Sequence, residues 1–327
     1  MAGGRRGGTC GAAGAVTARV ARPGAVGLAT VAIFAERVYP CAQAHRGVVV
    51  ANAELMNLYW TAAGIFPGDA EISPYDFRDR VEAAARAGFK GIGIWHSDLE
   101  HIMLHRSLKE MKSILDDNGM VHLELEFLTD WFAQGARKAD SDSRKRRLLE
   151  ASAALHAKHV KVGDFYNTPC PLPRITEAFA ALCKDAESYG ATIGFEFMKS
   201  SMLDNLKDSL AMVKAAGARN GGLILDIVHV VNMGITHAQL REIPLRSLVN
   251  VELNDGTLPG SPREDPTRAR RFCGEGEYDI KGFISCIQGM GYTGPWAVEV
   301  FSRELTKLPL AELNRRAFQT TMAHFGT

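Results

Sequence analysis

A regular alternation of short apolar segments with amphipathic segments is the feature that most constrains the fold of this chain. Beyond the first fifty residues the alternation occurs eight times, and Gly91–Trp95, Gly222–Asp226 and Leu248–Leu253 are its clearest apolar segments. Segments this apolar are typical of parallel strands that are buried on both faces. The pattern also predicts a first strand over 57–60 and a helix capped by Ser73. Eight strand–helix units predict an α/β fold of the (β/α)8 TIM-barrel type rather than an open sheet.

The first fifty residues do not share this pattern. Residues 1–50 are rich in Gly, Ala, Arg and Val, have Glu36 as their single acidic residue, and show neither helical nor strand periodicity. Their basic start, the apolar run 25–35 and the small residues 41–44 together resemble a secretory signal, although Glu36 interrupts it. The alternative, which we favour, is a start codon assigned too far upstream. In either case we expect an unstructured extension and then one barrel domain over 51–327.

Composition excludes several classes of function. Lys and Arg total 38 against 37 for Asp and Glu, so the formal net charge is +1. Nucleic-acid-binding proteins are usually basic, and we therefore expect no nucleic-acid partner. The apolar run 25–35 is far too short to span a bilayer, so we expect no membrane partner. The six cysteines show no CxxC spacing, which predicts free thiols and a cytoplasmic location.

Four acidic residues end the last four predicted strands, namely Glu196, Asp226, Glu252 and Glu299. In a parallel barrel these strand ends meet at one mouth, where active sites lie. Buried acids that converge repel one another unless they are paired or bound to a cation. We therefore expect one divalent metal ion with oxygen ligands, namely Mn²⁺, Mg²⁺ or Co²⁺. Taken singly, each acid could instead be salt-bridged or cap a helix. Glu124 and Glu126 alternate on the third predicted strand and share one face.

Four further residues are candidates for substrate binding. His229 follows Asp226 by three residues and can reach a substrate hydroxyl or a metal ligand. His96 ends the second predicted strand, and Lys161 lies on the fourth, where it can point into the barrel. Trp60 can form an apolar wall for a sugar ring. The alternatives are a surface position for His229 and core packing for Trp60.

Several motifs carry a resemblance to a known family. GFEF, LDIVH, NVELND, GEGEYDIKGF and GYTGPWAVEV occur in this order. With them the chain resembles the sugar phosphate isomerase/epimerase superfamily of xylose-isomerase-like TIM barrels, over roughly residues 56–324. The resemblance implies that Glu196, Asp226 and Glu299 are metal ligands and that His229 contacts the sugar. It also implies that Glu196 and Glu299 double as the catalytic acid and base.

The third metal ligand departs from the family pattern. The family usually has a His three residues before an Asp, and here that place is taken by Glu252, three residues before Asp255. A Glu can still bind a metal ion, makes the site more anionic and favours a hard cation over zinc.

The resemblance implies a sugar isomerase or epimerase that removes a proton next to a carbonyl through an enediolate. One alternative is a lyase or dehydratase of the inosose or dehydroshikimate type, or the catalytic chain of an enzyme that cleaves C-glycosides. An alternative of another class is a non-catalytic sugar-binding barrel subunit. We expect a small sugar or polyol substrate without a phosphate, because the Gly-rich segment 274–277 is acidic. A homo-oligomer and a partner subunit both stay open.

Removal of the N-terminal extension is predicted to leave the barrel intact. A chain that begins at Met56 should keep the melting temperature and the activity of the full chain, because residues 1–50 lack paired apolar faces. Thermal unfolding of both chains, followed by circular dichroism, is the measurement. A large fall in the melting temperature of the shorter chain would contradict the prediction.

Overall fold

The computed structural model describes residues 53–260 and 270–326, which form a closed barrel of eight parallel strands. Each strand pairs in parallel with its two neighbours, and the last strand closes the barrel against the first. The TIM-barrel prediction is therefore confirmed. The strands are β1 (Leu55–Asn57), β2 (Gly91–Trp95), β3 (His122–Leu128), β4 (His159–Val162), β5 (Ile193–Glu196), β6 (Gly221–Asp226), β7 (Leu248–Leu253) and β8 (Trp296–Val298).

Helices surround the barrel and connect consecutive strands. Among the described helices, none combines the length and the apolarity that a membrane crossing needs. They are α1 (Tyr59–Ala62), α2 (Phe77–Ala87), α3 (His96–Met103), α4 (Leu108–Asp117), α5 (Gly135–Leu155), α6 (Leu172–Glu187), α7 (Leu206–Ala216), α8 (Ile227–Asn232), α9 (His237–Leu240), α10 (Ile280–Gly289) and α11 (Leu310–Met322).

The first strand differs from its prediction. β1 ends at Asn57, and the residues from Tyr59 onward are helical. The Tyr59 N–H donates to Glu126 Oε1 at 3.1 Å, so a buried carboxylate satisfies this amide in place of a neighbouring strand. The strand also begins earlier than predicted, at Leu55. A chain that begins at Met56 would lack Leu55 and therefore part of β1. The shortened chain should begin at residue 51 instead. Residues 1–50, predicted to be an unstructured extension, lie outside the described residues.

The predicted cap of the first long helix is also wrong. Asp76 caps α2, and its side chain accepts a hydrogen bond from the Arg78 N–H at 2.8 Å. Ser73 lies before the helix, where its hydroxyl donates to the Ala63 carbonyl at 2.9 Å. Ser73 therefore holds the loop before α2 against the C-terminal end of α1, and it does not cap α2.

The apolar core lies between the strands and the helices, whereas the inside of the barrel is polar. Phe179 of α6 packs edge-on against Phe195 of β5, with Trp131 beside both rings. Inside the barrel, polar and charged side chains from several strands are completely buried, namely Glu124, His159, Lys161 and Asn250. The inward faces of the strands therefore build a charged interior that leads to the strand ends.

Gly93 of β2 leaves room for this polar interior. A Cβ atom at this position would lie 2.7 Å from the Tyr59 nitrogen and 2.8 Å from Glu126 Oε1. Contacts this short require either the backbone of Tyr59 or the Glu126 carboxylate to move. The absent side chain therefore permits the hydrogen bond between Tyr59 and Glu126.

Gly93→Ala is predicted to lower the free energy of unfolding by about 1–3 kcal/mol, the usual cost of overpacking a filled interior. The matched control is Gly289→Ala at the end of α10, where an added Cβ meets no atom within 4 Å. Urea unfolding of both variants and of the unchanged chain gives the comparison. Equal stability of Gly93→Ala and Gly289→Ala would show that the barrel interior is not tightly packed at Gly93.

Candidate metal centre

The four acids at the strand ends lie close together. Glu196 ends β5, Asp226 ends β6, Glu252 lies one residue before the end of β7, and Glu299 follows β8 directly. One carboxylate oxygen from each lies within 4.8 Å of the oxygens of the other three. All four side chains are buried. The convergence follows from the parallel strand order, which places Asp226 and Glu252 opposite each other in adjacent strands.

The spacing of these oxygens fits the ligand shell of one metal ion. Oxygen ligands that lie 2.0–2.6 Å from an ion are at most about 5 Å apart. Glu252 Oε2 has no hydrogen-bond partner in the described part of the chain. Each carboxylate oxygen has two lone pairs, so an oxygen that already accepts a hydrogen bond can still bind a cation. The donor set is therefore compatible with one hard divalent ion.

Lys161 is the central cation of this group. It lies on β4 and is completely buried. Its Nζ atom is 2.8 Å from Glu252 Oε1, 3.1 Å from Glu299 Oε1 and 3.9 Å from Glu196 Oε2. Burial alone would lower the pKa of Lys161, but the surrounding carboxylates raise this pKa well above its ordinary value. The side chain is therefore a permanent positive charge.

Two glutamates of β3 share Lys161 with the acids at the strand ends. Lys161 Nζ is 3.2 Å from Glu124 Oε1 and 3.3 Å from Glu126 Oε2. Glu124 also contacts His159 and accepts a hydrogen bond from Asn250 Nδ2 at 3.1 Å. Burial raises the pKa of Glu126 to about 8, so this acid favours its protonated form at neutral pH.

Arg270 is a second cation, and the sequence analysis missed it. It lies in the loop after β7, and its Nη1 is 2.7 Å from Asp226 Oδ2 and 2.5 Å from Glu299 Oε2. Its guanidinium group stacks 4.0 Å above the ring centre of Phe301. Asn254, also missed, donates to Asp226 Oδ1 at 2.7 Å. Arg270 occurs among several other arginines without periodicity, so no local signal distinguishes it.

The acids at the strand ends outnumber the cations Lys161 and Arg270 beside them. Burial raises the pKa of Glu252 well above its ordinary range, and it also raises the pKa of Glu299. Burial would act in the same direction on Glu196, but Lys161 and His229 outweigh it and lower that pKa to about 2. Four carboxylates beside Lys161 and the Arg270 guanidinium leave two negative charges uncompensated when all four are ionised. One divalent cation carries the charge that balances them.

The structure brings only some of the other candidate residues to the cluster. His229 of α8 lies with its Nε2 atom 3.3 Å from Glu196 Oε1. Trp60 lies on α1 rather than on a strand, and its ring centre is 4.8 Å from that of Trp95. His96 is the first residue of α3 and packs against Trp95, and burial lowers its pKa to about 4. In the described residues no ion pair joins His96 to the acids.

Asp255 orders the loop that carries Arg270. Its carboxylate accepts hydrogen bonds from the backbone N–H groups of Gly274, Gly276 and Tyr278 at 2.9, 2.9 and 3.0 Å. Its backbone also exchanges two hydrogen bonds with the residue after Arg270. One buried carboxylate therefore organises the described part of this loop.

Asp255→Ala is predicted to lower the free energy of unfolding by more than about 2 kcal/mol, because it leaves several amides without an acceptor. Asp117→Ala is the control, since Asp117 is an exposed acid at the end of α4. Thermal and urea unfolding measure the difference between the two variants. If both variants unfold alike, Asp255 does not organise the loop.

A closed barrel of eight parallel strands with its polar residues at the C-terminal strand ends defines the TIM-barrel class. Within this class, a family model described as the xylose isomerase-like TIM barrel matches residues 81–323. The chain therefore belongs to the xylose isomerase-like TIM barrel family, and the family resemblance of its motifs is confirmed.

Several known proteins are similar to this chain. A 3-dehydroshikimate dehydratase of Pseudomonas aeruginosa is 26% identical over 234 residues, which covers 68% of this chain and 36% of that protein. An inosose isomerase of Halalkalibacterium halodurans is 26% identical over 144 residues, or 43% of this chain and 50% of that protein. The matches thus span between about a third and a half of these relatives. The crystal structure of the IOLI protein with a zinc atom has a TM-score of 0.71 and 19% identity, covers 83% of this chain and 98% of that one, and supports the fold.

Proposed function

We propose that this chain is a divalent-metal-dependent isomerase or lyase that removes a proton next to a carbonyl group of a small, hydroxylated substrate. The observation that carries the proposal is the convergence of four buried carboxylates, with oxygens within 4.8 Å of one another, at the mouth of the barrel. The dehydratase and the isomerase among its relatives support the same reaction class.

The proposed metal ligands are the four acids at the strand ends, Glu196, Asp226, Glu252 and Glu299. An all-oxygen set suits Mn²⁺, Mg²⁺ or Co²⁺ better than zinc. When bound, the ion would stabilise the negative charge that develops on the substrate carbonyl oxygen during proton removal. The excess of acids over Lys161 and Arg270 supports a divalent charge at this position.

Glu196 and Glu299 are the proposed acid and base. They come from β5 and from the end of β8, so they approach the substrate from different strands. Lys161 and His229 beside Glu196 favour its ionised form, which a general base requires. Glu299 is held by Lys161 and by Arg270, which fix the direction of its carboxylate. His229, with His96 and Trp60 as further candidates, is the proposed substrate contact.

A substrate without a phosphate group fits the loop after β7. The N–H groups of Gly274 and Gly276 already donate to the Asp255 carboxylate. A Gly-rich loop binds phosphate through free backbone amides, and these two are occupied. The intervening Glu275 and the following Glu277 add negative charge. The proposed substrate is therefore a sugar, a polyol or a related hydroxylated ring.

The first candidate reaction is isomerisation or epimerisation of a sugar, with the proton returned to the substrate. The second candidate is dehydration, in which proton removal is followed by loss of a hydroxyl group from the neighbouring carbon. The Pseudomonas aeruginosa dehydratase favours this second candidate, because its match covers 68% of this chain against 43% for the inosose isomerase. Both reactions begin with the same proton transfer.

The test measures whether the proton next to the carbonyl is exchanged for deuterium. The chain is supplied with Mn²⁺ and incubated in D₂O with a panel of ketoses, inososes and 3-dehydroshikimate, and the products are analysed by NMR. Isomerisation predicts deuterium at one carbon of a product of unchanged composition. Dehydration predicts an unsaturated product that absorbs in the ultraviolet. Metal analysis should find about one divalent ion per chain, as the single proposed site requires.

Glu299→Gln is predicted to reduce kcat by about 10²–10⁴-fold, the usual contribution of a general acid or base. Glu304→Gln, which changes an exposed acid five residues further along, is the matched control and should leave kcat unchanged. A chain that retains no metal ion and exchanges no deuterium with any of these compounds would contradict the proposal. That result would favour a sugar-binding barrel without catalysis.

A further inference from the structure

We propose that Lys161 is a positioning residue for the metal centre, which holds one oxygen of Glu252 and thereby directs the other oxygen to the metal ion. The inference rests on the proposed metal-dependent function. The contact with Lys161 explains how Glu252 can act as a metal ligand at a strand end that is surrounded by other buried acids.

The contact between Lys161 and Glu252 is the closest that the lysine makes. Its Nζ atom is 2.8 Å from Glu252 Oε1, and its other four carboxylate contacts range from 3.1 to 3.9 Å. Both side chains are completely buried, so neither water nor salt can compensate either charge. Lys161 is therefore the nearest cation to Glu252, and Glu252 is the nearest of the five acids to Lys161.

The two oxygens of Glu252 have different surroundings. Neither oxygen accepts a hydrogen bond in the described part of the chain, but Oε1 forms an ion pair with Lys161 at 2.8 Å, whereas Oε2 forms neither kind of contact there. A buried carboxylate oxygen without a donor is costly unless a cation approaches it. Glu252 also belongs to the group of four acids whose oxygens lie within 4.8 Å of one another. One oxygen is thus fixed by the lysine, and the other is left for the metal ion.

Lys161 also joins Glu252 to a second proposed ligand. The same ammonium group lies 3.1 Å from Glu299 Oε1, so one lysine fixes two acids from adjacent strands β7 and β8. A residue that orients two ligands from outside the metal shell affects metal affinity without touching the ion. Lys161 is therefore expected to affect metal affinity, whereas a lysine in an ordinary buried ion pair would affect only the stability of the fold.

The test compares Lys161→Met, Glu252→Gln and the double variant, with Lys158→Met as the matched control. Lys158 immediately precedes β4, is partly buried, and donates to the Val249 carbonyl at 2.5 Å rather than to an acid. Isothermal titration calorimetry gives the Kd for Mn²⁺ of each folded protein. Unfolding curves without metal give the stability of each variant.

Lys161→Met is expected to weaken Mn²⁺ binding by about 10–100-fold, the usual effect of removing a residue that orients a ligand. Removal of a nearby positive charge would by itself have the opposite effect, because it lessens repulsion of the ion. Glu252→Gln should weaken binding to a similar extent, and it should add little when Lys161 is already replaced. Lys158→Met should leave the Kd unchanged.

An unchanged or tighter Kd in Lys161→Met would overturn the inference, and so would additive effects of the two substitutions on the Kd. If Lys161→Met does not fold, Lys161→Gln replaces it in the same cycle. A different result would contradict the proposed function itself, namely that the unchanged chain binds none of Mn²⁺, Mg²⁺ and Co²⁺. In that case the cycle is measured on stability alone, and additive effects there would overturn the pairing of Lys161 with Glu252.

Discussion

The contact of the Lys161 ammonium group with five buried acids is the interaction on which the barrel interior depends. Taking so many charges out of water costs more than their mutual attraction usually returns, and apolar residues in their place are often as stable or more so. The stability of the fold therefore does not explain the cluster. The proposed role in binding a cation and moving a proton would explain it, because both require charged groups that water does not screen.

Much of the fold and part of the site could be predicted from local sequence patterns. Buried parallel strands are continuous apolar runs, so the sequence shows where each strand ends. A closed barrel then brings these ends together at one mouth. That reasoning located Glu196, Asp226, Glu252 and Glu299 without any knowledge of their distances. It also placed Lys161 on the fourth strand, but not its acidic partners, because these contacts arise only when the barrel closes.

Other features depend on contacts between residues far apart in the chain. Arg270 reaches Asp226 across 44 positions from a loop without periodicity, and no local pattern marks it. The segment after Asn57 is rich in residues that favour strands, yet it turns into α1 because Glu126 accepts the Tyr59 N–H. In both places a tertiary hydrogen bond outweighs local propensity, and both lie next to the cluster of charges.

The contact between Lys161 and Glu252 also limits how the protein can change over generations. A neutral residue at position 252 would still leave Lys161 beside four other acids, whereas an apolar residue at 161 would leave Glu252 without its cation. The second change passes through a protein with an uncompensated buried charge, which is strongly destabilising. Position 161 is therefore expected to keep its positive charge among descendants of this chain wherever the acids around it are kept, so an alignment should show its identity correlated with theirs.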